Sequence, residues 1–160
     1  MPKRSIPVTL RSLTEKDMAV LRVWYGEDRE GLEVFFGVPL PSEEEYRHQF
    51  GRLFQRIQAY SARMLMAEFK GEPIGFVLVT DVPPTLEVGR VHLYLQPKKR
   101  RYALRVGEAG MAEVEKMGLK SVFLNVASDN SGALKLGEKL GFTASPYLTI
   151  MKELGNGHRA

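Results

Sequence analysis

Three extended, apolar segments follow one another in the middle of the chain. RMLMAEF, residues 63–69, and PIGFVLVT, residues 73–80, are separated by a predicted turn at Gly71 and Glu72. LEVGRVHLYL, residues 86–95, follows after a Pro-Pro pair. Short apolar runs bounded by glycine and proline are typical of strands. This part of the chain therefore predicts a hairpin that is continued by one more strand.

The third of these segments has two distinct faces. Val91, Leu93 and Leu95 fall on one face, whereas His92 and Tyr94 fall on the other. Successive side chains of a strand point to opposite sides of the sheet. His92 and Tyr94 are therefore expected to point the same way.

Helical spacing precedes this meander. A strand is expected over residues 6–13 and a helix over about 15–25. Thr14 is the expected N-cap of this helix, because the residues that follow it have the spacing of a capping box. A second amphipathic helix begins near Ser42, and its apolar residues recur at intervals of four and three as far as Tyr60. Two helices are therefore expected between the first strand and the hairpin.

The second half of the chain alternates between helix and strand. From Ala103 to Met117, small and apolar residues recur at intervals of four and three, which predicts a helix packed closely on a sheet. SVFLNVA is a buried type of strand, DNSGALKLGEKL is a short helix capped by Asp129, Asn130 or Ser131, and YLTIMKEL is a last strand. The order β-α-α-β-β-β-α-β-α-β predicts a mixed sheet covered by helices on both faces.

Length and composition limit the kind of protein. The 160 residues fit one domain, which we expect to span residues 1–154, with a disordered tail over 155–160. The chain has no cysteine, its three histidines occur in no metal-ligand spacing, and it has no nucleophile-elbow motif. No apolar run approaches the roughly 20 residues of a membrane helix, and the first residues lack a signal-peptide pattern. We therefore expect a cytoplasmic protein with no membrane partner and no metal.

A basic segment, QPKKRRYALRVG, lies between the third strand of the meander and the next helix. Its five cations fall within eight residues and no acid lies among them: Lys98, Lys99, Arg100, Arg101 and Arg105. The start of a helix offers free main-chain N–H groups and a partial positive charge, which favour an anion. The segment therefore predicts an anionic partner, and a solvated loop without a ligand is the alternative.

The end of the chain resembles a known family. In LNVASDNSGALKLGEKLGF, residues 124–142, a strand, an Asn, a helix containing an Ala and a Gly-Phe pair follow one another as in GNAT-type N-acetyltransferases. The matching residues are Asn130, Ala133, Leu140, Gly141 and Phe142. The resemblance implies an α/β fold with a mixed, mostly antiparallel sheet of six to seven strands, splayed between strands 4 and 5. It also implies acetyl transfer from acetyl-CoA to a primary amine of a small molecule or a protein.

The same resemblance implies where the cofactor binds. The CoA pyrophosphate would sit on the basic segment, where the family pattern of Arg or Gln, two residues, Gly, one residue, and Gly or Ala falls on residues 100–105. Arg100 matches this pattern, whereas Ala103 and Arg105 stand where small residues are usual. The cofactor-binding residues implied by the resemblance are Leu93, Leu95, Arg100, Arg101, Tyr102, Ala103, Leu104, Arg105, Asn130 and Ala133.

Catalytic candidates follow from the chemistry of amine acetylation. A lysine amine with a pKa of about 10.4 is mostly protonated at neutral pH, so a general base is useful. Glu87 and His92 lie on the strand where the family often places one. The resemblance implies that a main-chain N–H of Leu93, Tyr94 or Leu95 stabilises the oxyanion. The family's tyrosine acid is replaced by Gly137, so water, Tyr94 or Tyr147 would protonate the leaving thiolate.

Two other functions are compatible with the sequence. A CoA-binding or regulatory module with the same fold would explain Arg105 and Gly137. A nucleic-acid or ribosome-binding protein would use residues 98–105, although an aromatic stacking platform is lacking beyond Tyr94 and Tyr102. The identity of the acceptor amine and self-association into a homodimer stay open.

Overall fold

A five-stranded sheet with helices on both faces forms the core of the protein. The computed structural model describes residues 6–36, 55, 59, 61–80, 88–126, 128–146, 148, 150–152, 154 and 155. The strands are β1 Val8–Ser12, β2 Ser61–Phe69, β3 Glu72–Thr80, β4 Val88–Leu95 and β5 Ser121–Leu124. The helices are α1 Met18–Glu27, α2 Arg29–Phe36, α3 Ala103–Lys116 and α4 Ser131–Lys139, and two 3-10 helices span Glu15–Asp17 and Pro97–Tyr102.

The sheet is mixed and mostly antiparallel, as predicted. Its strands lie in the order β1-β2-β3-β4-β5. The pairs β1–β2, β2–β3 and β3–β4 are antiparallel, and the pair β4–β5 is parallel. The β2–β3 turn is Lys70 and Gly71, with φ angles of 53° and 77°. The expected turn at Gly71 and Glu72 was thus one residue too late, because two consecutive residues with positive φ are what a tight hairpin turn requires.

Each face of the sheet has its own apolar core. Trp24 of α1 packs with Phe76 and Tyr94 on one face. On the other face, Val106 and Val114 of α3 pack on valine and leucine side chains of β3 and β4. The alternation along β4 explains this division and confirms the two faces predicted for it. Fully burying side chains of this size stabilises the fold by about 1.5–3 kcal/mol each.

The predicted helices are present where the structure describes them, but α2 was not predicted. The predicted helix over about 15–25 is a 3-10 turn followed by α1, and it ends at Glu27. The helix predicted from Ser42 to Tyr60 lies outside the described residues, except for Gln55 and Ala59, which are helical. Gly118 and Gly141 follow α3 and α4 with φ angles of 77° and 89°, the left-handed conformation in which glycine commonly ends a helix.

The C-terminal segment differs from the expectation of a last strand. In YLTIMKEL, the described residues belong to no strand. Leu148, Ile150 and Met151 are 88%, 87% and 84% exposed. The sheet of the described residues therefore has five strands rather than six or seven, and β5 is its last strand. No helix among the described residues has the length and apolar character needed to cross a bilayer.

Candidate active site

The strands β4 and β5 separate from each other part of the way along the sheet. Their parallel pairing runs from Val88 opposite Ser121 to Val91 opposite Leu124, where β5 ends. β4 continues to Leu95 while paired with β3 alone. The result is an opening beside the C-terminal half of β4, where the family resemblance implied that strands 4 and 5 splay apart.

Main-chain groups of β4 face this opening. The Gln96 N–H donates to the Ile74 carbonyl of β3 at 3.0 Å. Because main-chain groups alternate between the two edges of a strand, those of Tyr94 also face β3, whereas those of Leu93 and Leu95 face the side of β5. Of the three predicted oxyanion donors, Leu93 and Leu95 have the required direction and Tyr94 does not.

The basic segment is helical from its second residue, Pro97. The 3-10 helix that begins at Pro97 continues directly into α3, and Ala103 has φ −55° and ψ −43°. Alanine therefore replaces the expected glycine without backbone strain. The Lys99 N–H donates to the Gln96 carbonyl at 2.8 Å, and the Ala103 N–H donates to the Arg100 carbonyl. These N–H groups are thus engaged within the turn, so an anion here would rely first on the side-chain cations.

Two of the cations lie near acidic side chains of other elements. The guanidinium of Arg100 lies 3.9 Å from the Asp28 carboxylate, at the junction of α1 and α2. The Lys99 ammonium lies 4.0 Å from the Glu72 carboxylate at the start of β3. The side chain of Arg100 is 64% exposed, so it can move at little cost.

The other two arginines turn away from the opening. Arg101 stacks on the Tyr102 ring at 4.7 Å, and Tyr102 in turn stacks on Phe69. Arg105 donates to the Ile6 carbonyl at 3.4 Å, beside β1. Because β1 and β5 are opposite edges of the sheet, the Arg105 side chain does not block the β4–β5 opening. Its predicted contact with the cofactor would require another rotamer.

His92 and Tyr94 share the face of β4 that α1 and α2 cover. The His92 Nε2 atom lies 2.9 Å from the Thr80 hydroxyl oxygen. The Tyr94 hydroxyl donates to Asp28 Oδ2 at 3.0 Å. Burial and this carboxylate raise the pKa of Tyr94 above its usual value. The phenol therefore releases its proton less readily than a free tyrosine. Glu87, the other candidate base, lies outside the described residues.

Asp28 is the site residue that the sequence did not reveal. Its carboxylate accepts the Gly31 N–H at 3.2 Å, so it caps the start of α2. It also accepts a hydrogen bond from the Tyr94 hydroxyl and lies beside Arg100. An acid before a helix is a readable capping signal. Its two distant partners follow only from the packing of α1 and α2 on β4.

The helices α3 and α4 meet next to β5. The Asn130 Oδ1 atom accepts the Ala133 N–H at 3.1 Å, so Asn130 is the N-cap of α4. A groove of about 890 Å³ runs beside β5 and is lined by Leu124, Ala133, Gly137 and Phe142, among others. Ala133 thus lines the same groove as Leu124, the last residue of β5, while the contacts of Asn130 and Ala133 with the cofactor stay predictions. It places Leu104 partly buried in the first turn of α3.

The family of the chain follows from a match to a family model. The model of the acetyltransferase (GNAT) domain matches residues 8–143. This range runs from β1 to the residue after the Gly-Phe pair and includes the β4–β5 opening. The chain therefore belongs to the GNAT acetyltransferase family, whose members transfer an acetyl group from acetyl-CoA to an amine. A sequence search of curated proteins finds no match.

Solved structures share the fold at low sequence identity. The spermidine N-acetyltransferase from Vibrio cholerae, in complex with CoA and spermine, is 20% identical, with 90% of this chain and 85% of that chain covered and a TM-score of 0.66. The aminoglycoside N-acetyltransferase AAC(6')-Iy, in complex with CoA, is 14% identical, with coverages of 96% and 99% and a TM-score of 0.63. The GNAT domain of S. lividans PAT is 18% identical, with coverages of 85% and 81% and a TM-score of 0.65.

Proposed function

We propose that acetyl transfer takes place in the opening between β4 and β5, on a primary amine of a small molecule or a protein. The observation that carries this proposal is the loss of pairing beyond Val91 and Leu124. It leaves the main-chain groups of Leu93 and Leu95 directed into the opening. An N–H group fixed in this way stabilises the negative charge that develops on a thioester carbonyl oxygen under attack.

The basic segment would hold the phosphates of the cofactor. Lys98, Arg100 and Arg101 are exposed and lie within the turn that follows β4. Charge-assisted hydrogen bonds from guanidinium groups to phosphate are among the stronger polar interactions in proteins. Arg100 is the residue we assign to the pyrophosphate first, because it matches the family pattern and its side chain is free to turn.

Proton transfer is assigned to His92 and to water. His92 is the candidate base that the described residues contain, and a neutral imidazole nitrogen can accept the proton of an ammonium. A thiol has a pKa of about 8.5, so the departing thiolate does not require a strong acid. Tyr94 is less suited to this task than water because its hydroxyl already donates to Asp28.

The test is titration calorimetry with acetyl-CoA and CoA on the wild type and on Arg100→Glu. We expect the reversal of charge to weaken binding at least about tenfold, since it replaces an attraction to phosphate by a repulsion. Arg63→Glu is the matched control, because Arg63 is exposed on β2 and pairs with Glu113. Equal effects of the two changes, or no binding by the wild type, would overturn the proposed site.

Turnover is tested separately, by release of free CoA thiol over a panel of amines. The panel contains spermidine, an aminoglycoside, and peptides with a free α-amine or a lysine. Binding of acetyl-CoA without acetyl transfer to any of them would favour the CoA-binding module. The nucleic-acid alternative gains no support, because the matching family model and the similar solved structures are acetyltransferases.

We further propose that the protein forms a homodimer. Leu148, Ile150 and Met151 are exposed, and contiguous exposed apolar surface often marks an interface. The V. cholerae spermidine N-acetyltransferase has been solved as a dodecamer, so large assemblies occur on this fold. The cytoplasmic location and the division into residues 1–154 and a tail over 155–160 stay predictions from the sequence.

A further inference from the structure

The basic segment and the junction between α1 and α2 are joined by one ion pair. Arg100 Nη2 lies 3.9 Å from Asp28 Oδ2. Arg100 follows β4 and Asp28 lies between two helices that cover β4, so the pair connects two elements far apart in the sequence. The same arginine is the one assigned to the cofactor pyrophosphate.

The two partners differ in how firmly each is held. The side chain of Asp28 is 13% exposed, and its carboxylate also accepts the Gly31 N–H and the Tyr94 hydroxyl. Tyr94 is itself 3% exposed and packs at 5.7 Å from Trp24 between ring centroids. Asp28 is therefore fixed to the core, whereas Arg100, which is 64% exposed, is the partner that can leave.

We propose that Asp28 is a positioning residue that competes with the cofactor phosphates for Arg100. This inference rests on the proposed cofactor site. A pyrophosphate carries more negative charge than one carboxylate, and it can accept both forks of the guanidinium. Arg100 therefore turns from Asp28 to the phosphate when the cofactor binds. Asp28 keeps its bonds to Gly31 and Tyr94, but it loses its cation.

Cofactor binding would therefore break the ion pair between Arg100 and Asp28, and the free energy of that pair would be lost. Part of the attraction between Arg100 and phosphate is offset by the loss of the pair with Asp28. Ion pairs with one exposed partner contribute about 0.2–1 kcal/mol, which corresponds to a factor of roughly 1.4 to 5 in affinity. Removal of the Asp28 charge should therefore tighten cofactor binding within this range.

The experiment is a double-mutant cycle on CoA affinity, measured by calorimetry at low ionic strength. The proteins are the wild type, Asp28→Asn, Arg100→Gln and the double variant. Asn keeps an amide oxygen for the Gly31 N–H, and its NH2 group can donate to the Tyr94 hydroxyl oxygen in place of the second carboxylate oxygen, so the junction should stay folded. We expect Asp28→Asn to tighten CoA binding about two- to fivefold in the wild type and to have no effect when Arg100 is already Gln.

Glu72→Gln is the matched control. Glu72 faces Lys99 at 4.0 Å, but its side chain is 70% exposed and it has no buried anchor. Its removal should change CoA affinity less than Asp28→Asn does. If Asp28→Asn proves unstable, Asp28→Ser also keeps a capping oxygen and takes its place.

The outcomes separate this inference from the proposed function. If the wild type does not bind CoA, the proposed function fails and the competition fails with it. If the wild type binds CoA but Asp28→Asn does not tighten binding, only the competition is overturned. The same holds if the gain persists in the Arg100→Gln background, since a long-range effect of charge would then explain it. A loss of fold stability alone cannot produce tighter binding that depends on Arg100.

Discussion

Asp17 is the one buried charged side chain among the residues that the structure describes. Arg11 donates to both of its carboxylate oxygens, at 2.9 Å and 2.7 Å, and the Thr14 N–H donates to it at 2.8 Å. The guanidinium of Arg11 is the main cause that keeps the pKa of Asp17 below its usual value. The capping spacing read from the sequence therefore predicted the Thr14 contact, but not the ion pair with β1.

The first prediction concerns the loss of this charge. Asp17→Asn keeps a capping oxygen but removes the ion pair with Arg11. We expect the free energy of unfolding to fall by about 1.5–3 kcal/mol, the range for hydrogen bonds to charged groups. A fully buried pair would cost more, but the Arg11 side chain is 41% exposed. Urea unfolding of both proteins at pH 7 measures the difference.

The pH dependence of the difference in unfolding free energy between wild type and Asp17→Asn tests whether the charge of Asp17 causes it. A carboxylate whose pKa is lower in the folded protein contributes stability that is fully present above its unfolded pKa, about 3.9. This contribution is lost as the pH falls through the lower, folded value. The gap between wild type and Asp17→Asn should therefore shrink below about pH 4. A gap that stays constant down to pH 2 would rule out the charge as its source. Glu113→Gln, which removes an exposed pair with Arg63, should cost less than about 1 kcal/mol at pH 7.

The N-terminus of α4 gives the second prediction, which separates the two roles of Asn130. The side chain caps α4 through the Ala133 N–H, and the resemblance also assigns it to the cofactor. Asn130→Ala should lower stability by about 0.5–2 kcal/mol, whereas Asn130→Ser keeps a capping oxygen and should cost only a few tenths. If Asn130 also binds the cofactor through its amide, both variants should lose acetyl-CoA affinity. Thermal unfolding and calorimetry on the same two proteins distinguish the cap from the ligand, and full affinity in Asn130→Ser would limit Asn130 to capping.

The contact between α3 and α4 gives the third prediction. A Cβ atom at Gly137 of α4 would lie 3.7 Å from Leu124 and 3.8 Å from Phe142, which are ordinary contacts. A Cβ atom at Gly107 of α3 would lie 2.6 Å from a methyl group of Leu140. Gly137→Ala should therefore stabilise the protein by about 0.5–1 kcal/mol, the usual gain in a helix interior.

Gly107→Ala is the matched contrast for this prediction. The same helical gain is opposed by the displacement of Leu140, and overpacking costs about 1–3 kcal/mol. Melting temperatures of the two variants should thus lie on opposite sides of the wild-type value, or at least in the order Gly137→Ala above Gly107→Ala. The reverse order would show that the close approach of α3 and α4 is not set by Gly107.

Periodicity in the sequence predicted the helices and strands better than it predicted the contacts between residues of different elements. The four-and-three spacing from Ala103 to Met117 gave α3, and the alternation along β4 gave its two faces, because both signals are local. The pairing of Asp28 with Tyr94 links residues 66 positions apart, and no local pattern encodes it. The five cations were recognised as a group, but their different directions depend on β1, β3 and α2, which the segment meets only in the folded chain.

The edge of the sheet is where the whole molecule departs most from its sequence pattern. β5 has four residues and pairs with β4 on one side, and the described residues contain no partner on its other side. In the segment that predicted a further strand, Leu148, Ile150 and Met151 are exposed instead. An open strand edge can pair with another chain. The exposed apolar segment of one copy could pair with the β5 edge of a second copy, so a dimer could cover both surfaces.

The last prediction follows from this complementarity. Ile150→Lys places a charge on the exposed apolar segment, where Ile150 is 87% exposed, so it should leave the fold of each copy intact. It should lower the mass measured by light scattering toward that of one chain at concentrations where the wild type is dimeric, because burying an unpaired charge at an interface is unfavourable. Val23→Lys is the control, since Val23 is 55% exposed on α1, outside the C-terminal segment and β5. If the wild type is monomeric at all concentrations, or if both variants dissociate alike, the segment does not join two copies and the edge of β5 is covered in another way.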